Sequence, residues 1–132
     1  MPKGRRRRRR GRSGATYPRR TKSFIQSSLL LLLREGEGHG YALMEGLRRR
    51  GLVDDSLNPS MVYRSLREME ERGWVVSHWD TEGSGPSRRV YRITPQGGEF
   101  LTKWAGDLHE MKGTLERFLE TFEAGRGGEQ RS

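Results

Sequence analysis

The sequence of 132 residues contains no cysteine, only three histidines and no long apolar run. The absence of cysteine excludes disulfides, thiolate-bound zinc, iron–sulfur clusters and thiol nucleophiles. His39, His78 and His109 are widely spaced in the sequence, which argues against a histidine-based metal site. No apolar stretch approaches the roughly 18 residues that span a bilayer. We therefore predict no metal, no cofactor and no membrane anchor, and a cytoplasmic location.

The positive charge is concentrated in an arginine-rich leader, residues 1–22. The chain has 26 lysines and arginines against 17 aspartates and glutamates, a formal net charge of +9. The leader alone holds 11 of the basic residues and no acidic one, so the remaining chain has a net charge of −2. Because the leader also lacks leucine and isoleucine and its adjacent arginines repel one another, we predict that it is disordered.

Two interpretations of the leader stay open. It is either a nucleic-acid arm that neutralises phosphates or enters the minor groove, or a solvated segment that binds polyanions incidentally. Arg19 and Arg20 ahead of an apolar run also resemble a twin-arginine export signal. However, Gln26 and two serines interrupt the run, and no small-residue cleavage site follows Arg34. We predict that the chain is not exported.

The rest of the sequence predicts four helices and one β-hairpin. The helices are expected over 23–34, 41–50, 59–72 and 95–123, and the strands over 74–79 and 90–93. The first helix is apolar on most of its faces, so we expect it to be buried. The glycine-rich segment 36–40 ends it, because glycine disfavours helix. We interpret residues 124–132 as a flexible tail.

The third helix has the clearest ends. Asn58 is a strong N-cap residue, Pro59 suits the first helical position, and Gly73 suits the C-terminal end. Apolar residues at helical spacing face inward, and the opposite face is polar and basic. The second helix, a short linker, this helix and a basic hairpin together predict a winged helix-turn-helix over 23–94. The predicted fold class is mostly α with a small β-hairpin.

The last helix carries apolar residues at alternating steps of three and four, which is a heptad repeat. These residues are Leu101, Trp104, Leu108, Met111, Leu115, Phe118 and Phe122. A narrow stripe on a long helix is better buried by the same helix of a second chain than by a small core. We therefore predict a homodimer with its dimerisation helix over 95–123. The alternative is a helix that folds back on its own domain.

Three segments resemble the PadR family of bacterial transcriptional regulators. They are residues 38–43 (GHGYAL), 59–73 (PSMVYRSLREMEERG) and 85–97 (GPSRRVYRITPQG). The resemblance implies a winged helix-turn-helix with a C-terminal dimerisation helix, and a homodimer on pseudo-palindromic operator DNA. Such proteins usually repress transcription and are released by a small molecule or another signal. The leader is not part of the family pattern, and a single C-terminal helix leaves no separate ligand domain.

The outer face of the third helix supplies the predicted base contacts. A recognition helix enters the major groove, and its first two turns reach base edges. The candidates at those positions are Ser60, Tyr63, Arg64 and Arg67. The two arginines offer bidentate donors suited to guanine, or alternatively pair with Glu68 and Glu71 on the same helix. We interpret Tyr63 as a packing residue that offers its hydroxyl to a phosphate.

The hairpin and the second helix supply the predicted backbone contacts. Arg88 and Arg89 stand where the returning strand leaves the turn, and they are expected to contact phosphates or the minor groove. Because adjacent strand residues point to opposite faces, we expect at most one of them to meet DNA and the other to pair with Asp80 or Glu82. Tyr41, at the start of the second helix, is expected to add a phosphate contact.

Large aromatic residues on the hairpin and the last helix have two interpretations. Trp74 and Trp79 lie on the hairpin, and Trp104 and Phe118 lie on the heptad stripe. We interpret them as core residues, because large aromatics usually serve burial. The alternative is that they stack a small planar aromatic effector, as in some relatives.

No group of residues in the sequence suggests catalysis, so we predict that the protein is not an enzyme. The loop over 83–86 lacks the lysine and the following helix of a phosphate-binding loop. The rival to a sequence-specific repressor of double-stranded DNA is a non-specific nucleic-acid-binding or adaptor protein. In that case the leader does most of the binding and the winged helix contacts protein partners.

Overall fold

The computed structural model describes residues 22–83 and 85–131, and only the backbone of residues 126–131. Two compact units are present, one that ends at Gly98 and one that begins at Glu99. The elements in chain order are α1 (Lys22–Glu35), β1 (Gly38–His39), α2 (Gly40–Arg49), α3 (Pro59–Glu71), β2 (Val75–Asp80), β3 (Arg88–Ile93) and α4 (Pro95–Arg131). The predicted fold class, mostly α with a small β-hairpin, is confirmed, and the hairpin is part of a three-stranded sheet.

The core of the first unit is built around α1, which is buried on most sides as its sequence predicts. Apolar side chains of α1 pack with those of α2, α3 and the sheet, because no single helix can bury its own apolar face. The buried members are Ile25, Leu29, Leu30, Leu32, Leu33, Leu43, Met44, Leu47, Val62, Leu66, Met69, Val75 and Val90. Each large apolar side chain removed from water contributes about 1.5–3 kcal/mol before entropy is counted.

Helix α3 begins and ends where the capping residues predict. The Asn58 side-chain oxygen accepts a hydrogen bond from the Met61 backbone N–H at 3.0 Å, and Pro59 occupies the first helical position. Arg72 is the C-terminal cap, and Gly73 follows with a positive φ of 82°. Because Gly73 turns the chain directly into β2, the C-terminal end of α3 lies next to the start of the hairpin.

The sheet has three strands rather than the two of the predicted hairpin. The strand order is β1-β3-β2, and both pairings are antiparallel. β1 lies in the segment 36–40 that the sequence assigned only to a helix end: Gly38 pairs with Tyr91, and His39 pairs with Val90. Partners distant in the sequence form this short strand, so local glycine content could not indicate it. The hairpin strands themselves run from 75 to 80 and from 88 to 93.

Two predicted boundaries are wrong at the ends of the described chain. α1 begins at Lys22, which the sequence assigned to the leader; the rest of the leader, residues 1–21, lies outside the described residues. α4 continues past Glu123 to Arg131, so residues 124–131 are helical. Glycine in this region costs about 1 kcal/mol relative to alanine but does not forbid the helical conformation. No proline follows to end the helix.

Gly97, in the first turn of α4, is expected to tolerate no side chain. A Cβ atom there would collide with the backbone carbonyl oxygen of Trp74 and approach Ile93 Cγ1 to 3.0 Å. We predict that Gly97→Ala lowers the free energy of unfolding by about 1–3 kcal/mol, as overpacking does. Gly98→Ala is the matched control, because a Cβ at Gly98 meets nothing within 4 Å. It should be neutral or stabilising by up to about 1 kcal/mol. Urea unfolding of both variants tests this, and equal stabilities would contradict it.

Candidate nucleic-acid interface

The outer face of α3 is polar, basic and open to solvent. Ser60, Tyr63, Arg64 and Arg67 are exposed, whereas Val62, Ser65, Leu66 and Met69 on the other face are buried. The helical period thus separates the two groups as predicted. In the part of the chain that the structure describes, neither arginine forms an ion pair. The guanidinium groups of Arg64 and Arg67 are therefore available to an external partner.

Glu68 does not pair with the arginines of its own helix, because it contacts α1. Lys22 Nζ lies 3.3 Å from Glu68 Oε1, and Gln26 Nε2 donates to the same oxygen at 3.1 Å. The predicted alternative, in which Arg64 and Arg67 pair with Glu68 and Glu71, is not seen among the described residues. The contact also places Lys22, the last residue of the arginine-rich leader, beside α3.

Tyr63 packs against the start of α2, in agreement with its interpretation as a packing residue. A Cβ atom built on Gly40 would lie 2.5 Å from Tyr63 Cε1, so only glycine leaves room for the ring. Tyr63 is 39% exposed, and the neighbouring Tyr41 is 60% exposed. Tyr63 is therefore partly exposed, although its ring lies close to Gly40.

A cleft of about 1010 Å³ lies between α3 and the hairpin, and we call it the helix–wing cleft. Its lining is His39, Tyr41, Tyr63, Arg67, Glu70, Glu71, Trp79, Ser87, Arg88, Arg89 and Tyr91. It brings together five of the seven predicted DNA-contacting residues, which come from α2, α3 and β3. Ser60 and Arg64 are the two that do not line it; both are exposed on α3.

Both wing arginines line the helix–wing cleft. Arg88 Nη1 lies 3.1 Å from His39 Nε2, a hydrogen bond that requires an unprotonated Nε2. The Arg89 Nε–H donates to Ser77 Oγ at 2.9 Å, and the Arg89 Cζ lies 5.3 Å from the centroid of the Trp79 ring. The expected ion pair with Asp80 or Glu82 is absent among the described residues. Adjacent residues of β3 point to opposite faces of the sheet, yet both arginines line the cleft. An arginine side chain is long enough to reach around the edge of a strand.

Tyr91 forms an apolar base to the cleft. It is 3% exposed, and burial raises the pKa of its hydroxyl, while the nearby Arg89 lowers it and Glu70 raises it. Its ring therefore stays neutral at neutral pH. The net charge of the cleft is set by its arginines, Glu70 and Glu71.

Four residues that support the wing arginines were not predicted from the sequence: His39, Glu70, Ser77 and Trp79. Trp79 is 58% exposed, so its interpretation as a core residue is wrong; Trp74 is half-buried. Cross-strand pairing explains why Trp79 is exposed: in the β2–β3 register it stands opposite Arg89, which it contacts. The hairpin loop is too long for its register to follow from turn type.

The second unit presents an exposed apolar stripe along α4. Leu101 is buried and Trp104 is half-buried, with the Phe100 and Trp104 rings stacked at 6.3 Å. The other predicted stripe residues are 39–67% exposed: Leu108, Met111, Leu115, Phe118 and Phe122. Leu119, 52% exposed, widens the stripe. Phe118 is therefore not a core residue of the single chain.

The described residues contain neither a metal-ligand cluster nor a membrane-spanning helix. No group of three or more histidines, acidic residues or cysteines is placed to hold a metal ion there. None of the helices described is both long and apolar enough to cross a membrane.

Comparison with known proteins identifies the family of the chain through a family model. The model of the transcriptional regulator PadR-like family matches residues 29–103. The transcriptional regulator Rv3488 of Mycobacterium tuberculosis is 35% identical over 77 residues, which are 58% of this chain and 68% of that protein. The ferric uptake regulation protein of Brucella abortus is 38% identical over 83 residues, which are 63% of this chain but only 57% of that protein.

Solved structures share the fold. A conserved protein of unknown function, TM0937, described as a potential transcriptional factor, is 35% identical with a TM-score of 0.69. The similarity covers 84% of this chain and 96% of that one. Bacillus subtilis PadR in complex with operator DNA is 23% identical with a TM-score of 0.55, over 61% of this chain and 46% of that chain.

Proposed function

Because the chain belongs to the transcriptional regulator PadR-like family, we propose that it represses transcription by binding pseudo-palindromic operator DNA as a homodimer. The observation that carries this proposal is the solvent-facing, basic side of α3. On that side, Arg64 and Arg67 have no ion pair among the described residues, and the helix–wing cleft lies directly beside them. In this function the protein acts as a regulator in the cytoplasm and catalyses no reaction.

Groove dimensions determine how such a surface reads DNA. The major groove admits one α-helix, and side chains near the start of that helix reach base edges. Ser60 and Arg64 stand in the first two turns of α3 and are assigned to bases, with Arg67 one turn further. Tyr41, Tyr63, Arg88 and Arg89 line the cleft and are assigned to phosphates or the minor groove. The bases specify the site, and the phosphates position the protein.

The stripe on α4 supports the homodimer. Five large apolar side chains at heptad spacing are exposed on one helix, and a second copy of the same helix would cover them. Two copies of α3 would then read two half-sites related by two-fold symmetry, one helical turn apart. Dimerisation is thus the step that converts a single reading helix into recognition of a palindrome.

The same stripe is the proposed site of a small planar aromatic effector. The stacked Phe100 and Trp104 rings stand at one end of it, and the indole Nε1–H of Trp104 is buried without a hydrogen-bond partner among the described residues. A planar ligand with an acceptor atom would satisfy that donor once the Trp104 ring moved to expose it. Titration of the tryptophan fluorescence with a broad panel of aromatic compounds tests this. Quenching by none of them would contradict it.

A second function is favoured by one observation, the 11 basic residues of the leader. If the leader dominated, the protein would be a non-specific nucleic-acid-binding or adaptor protein. The two functions differ in the ratio between the affinity for the preferred site and the affinity for random duplex. For a repressor this ratio is about a thousand or more. The rival binds all duplexes alike and depends strongly on salt concentration.

Arg64→Ala is expected to reduce site preference more than general affinity. A bidentate arginine–guanine contact contributes about 1–3 kcal/mol of discrimination, which is roughly a tenfold to hundredfold loss on the preferred site. A preferred duplex is first obtained by selection from a random pool, and binding to it and to random duplex is measured by fluorescence anisotropy. Arg34→Ala, an exposed arginine at the end of α1, is the control. Equal losses on both duplexes would show that Arg64 contacts only phosphate.

A further inference from the structure

A chain of polar contacts joins the recognition helix to the wing, the hairpin of β2 and β3. The Arg89 Nε–H donates to Ser77 Oγ at 2.9 Å. The Ser77 hydroxyl donates to Glu70 Oε2 at 2.7 Å. Arg89 lies on β3, Ser77 on β2 and Glu70 on α3, so one hydroxyl connects three elements.

Serine is chemically suited to this middle position. A hydroxyl has one proton to donate and lone pairs to accept with, so Ser77 can accept from a guanidinium and donate to a carboxylate at once. Both contacts involve an ionised partner, which makes them stronger than neutral hydrogen bonds. Alanine at this position makes neither contact, whereas threonine retains the same hydroxyl chemistry.

The face of the Arg89 guanidinium is held as well. Trp79 stands directly opposite Arg89 in the β2–β3 register, and its ring centroid lies 5.3 Å from the Arg89 Cζ. The Nε–H and the plane of the group are thus fixed, while its two terminal nitrogens form no hydrogen bond among the described residues. Because Arg89 lines the helix–wing cleft, those nitrogens are available to an anion there.

We propose that Ser77 and Glu70 are positioning residues that hold Arg89 of the wing at a fixed place relative to α3 for phosphate binding. This inference rests on the proposed DNA-binding function and adds residues that do not themselves touch DNA. A restrained arginine loses less rotamer freedom when it binds a phosphate than a free one does. The link also fixes the distance between the phosphate contact of the wing and the base contacts of α3.

The test combines binding to duplex DNA with a measurement on the free protein. Affinity for a random-sequence duplex is measured for wild type, Ser77→Ala, Arg89→Ala and the double variant. Ser77→Ala is expected to weaken binding about fivefold, which is the size of effect expected for the loss of one typical hydrogen bond. In the Arg89→Ala background it should have no further effect, because the group that it positions is gone. Ser77→Thr should restore most of the affinity.

Matched controls come from the same cleft. Ser87→Ala and Glu71→Gln alter a serine and a glutamate that line the cleft but have no hydrogen bond to Arg89, and they should leave this coupling unchanged. Glu70→Gln should speed the solvent exchange of the Arg89 Nε–H, as Ser77→Ala does. Thermal unfolding of each variant confirms that it folds.

The free-protein measurement is the solvent exchange of the Arg89 Nε–H in a nitrogen-15 NMR spectrum, with the signal identified by its loss in Arg89→Ala. We expect slow exchange in wild type and fast exchange in Ser77→Ala. Additive losses in the double variant, or unchanged exchange, would overturn the inference. If wild type bound no duplex at all, the proposed function would fail. The NMR result would then still decide whether Ser77 holds Arg89.

Discussion

Leu115→Glu is expected to split the protein into monomers and to remove most of its binding to operator DNA. Leu115 is 53% exposed at the centre of the α4 stripe. In a dimer, a glutamate there would lie within the apolar contact between the two α4 helices, where its carboxylate would be buried without a partner. Burying a charge without a partner costs several kcal/mol, enough to dissociate a dimer held by one helix pair. Sedimentation velocity measures the change in mass directly.

DNA binding should follow the loss of the dimer. A monomer engages a single half-site, so its affinity for the selected operator is expected to fall by about a hundredfold or more. His109→Glu is the matched control: it adds the same charge to α4 at an exposed position outside the heptad stripe. It should leave both mass and affinity unchanged. A Leu115→Glu variant with the mass and affinity of wild type would show that the stripe is not the dimer contact.

Removal of residues 1–20 is expected to weaken binding to every duplex while site preference stays largely intact. These residues hold ten of the 26 basic side chains, and Lys22, two residues further along the chain, contacts Glu68 of α3. Each phosphate contact that is lost lowers the slope of log affinity against log salt by about 0.9. Anisotropy titrations of operator and random duplex at several salt concentrations give both quantities.

The opposite outcome would reassign the leader. If the truncated protein lost its discrimination between operator and random duplex, the leader would read sequence, and the division between reading helix and basic arm would be wrong. The control is replacement of the leader arginines by lysine, which keeps the charge but removes the planar, bidentate guanidinium. It should bind random duplex nearly as well as wild type.

Much of the fold was predictable because the capping residues and the apolar spacing in the sequence agree with the way the helices pack. Asn58, Pro59 and Gly73 mark the ends of α3 by capping chemistry alone, and the structure has the helix there. β1 was not predictable, because Gly38 and His39 form a strand only through their pairing with β3. The end of α4 at Arg131 was missed for a different reason: glycines suggested an end that no proline or capping residue enforces.

The candidate site was predictable to the level of its basic residues and no further. The helical period selected the exposed face of α3, including Arg64 and Arg67, from spacing alone. Ser77 and His39 could not be found in this way, because their roles depend on which residue of another strand stands near them. Trp79 was misassigned because an aromatic residue in a strand predicts burial, whereas here Arg89 covers one face of its ring at the surface.

Hydroxyl-radical footprinting of the full-length protein on the DNA upstream of its own gene tests the central claim most directly. The claim is that two copies of α3 enter successive turns of the major groove on one face of the duplex. We predict a protected pseudo-palindrome with half-site centres about one helical turn apart. Uniform protection of the whole fragment that fades as salt is raised would contradict it, because only a non-specific coating by the leader would remain.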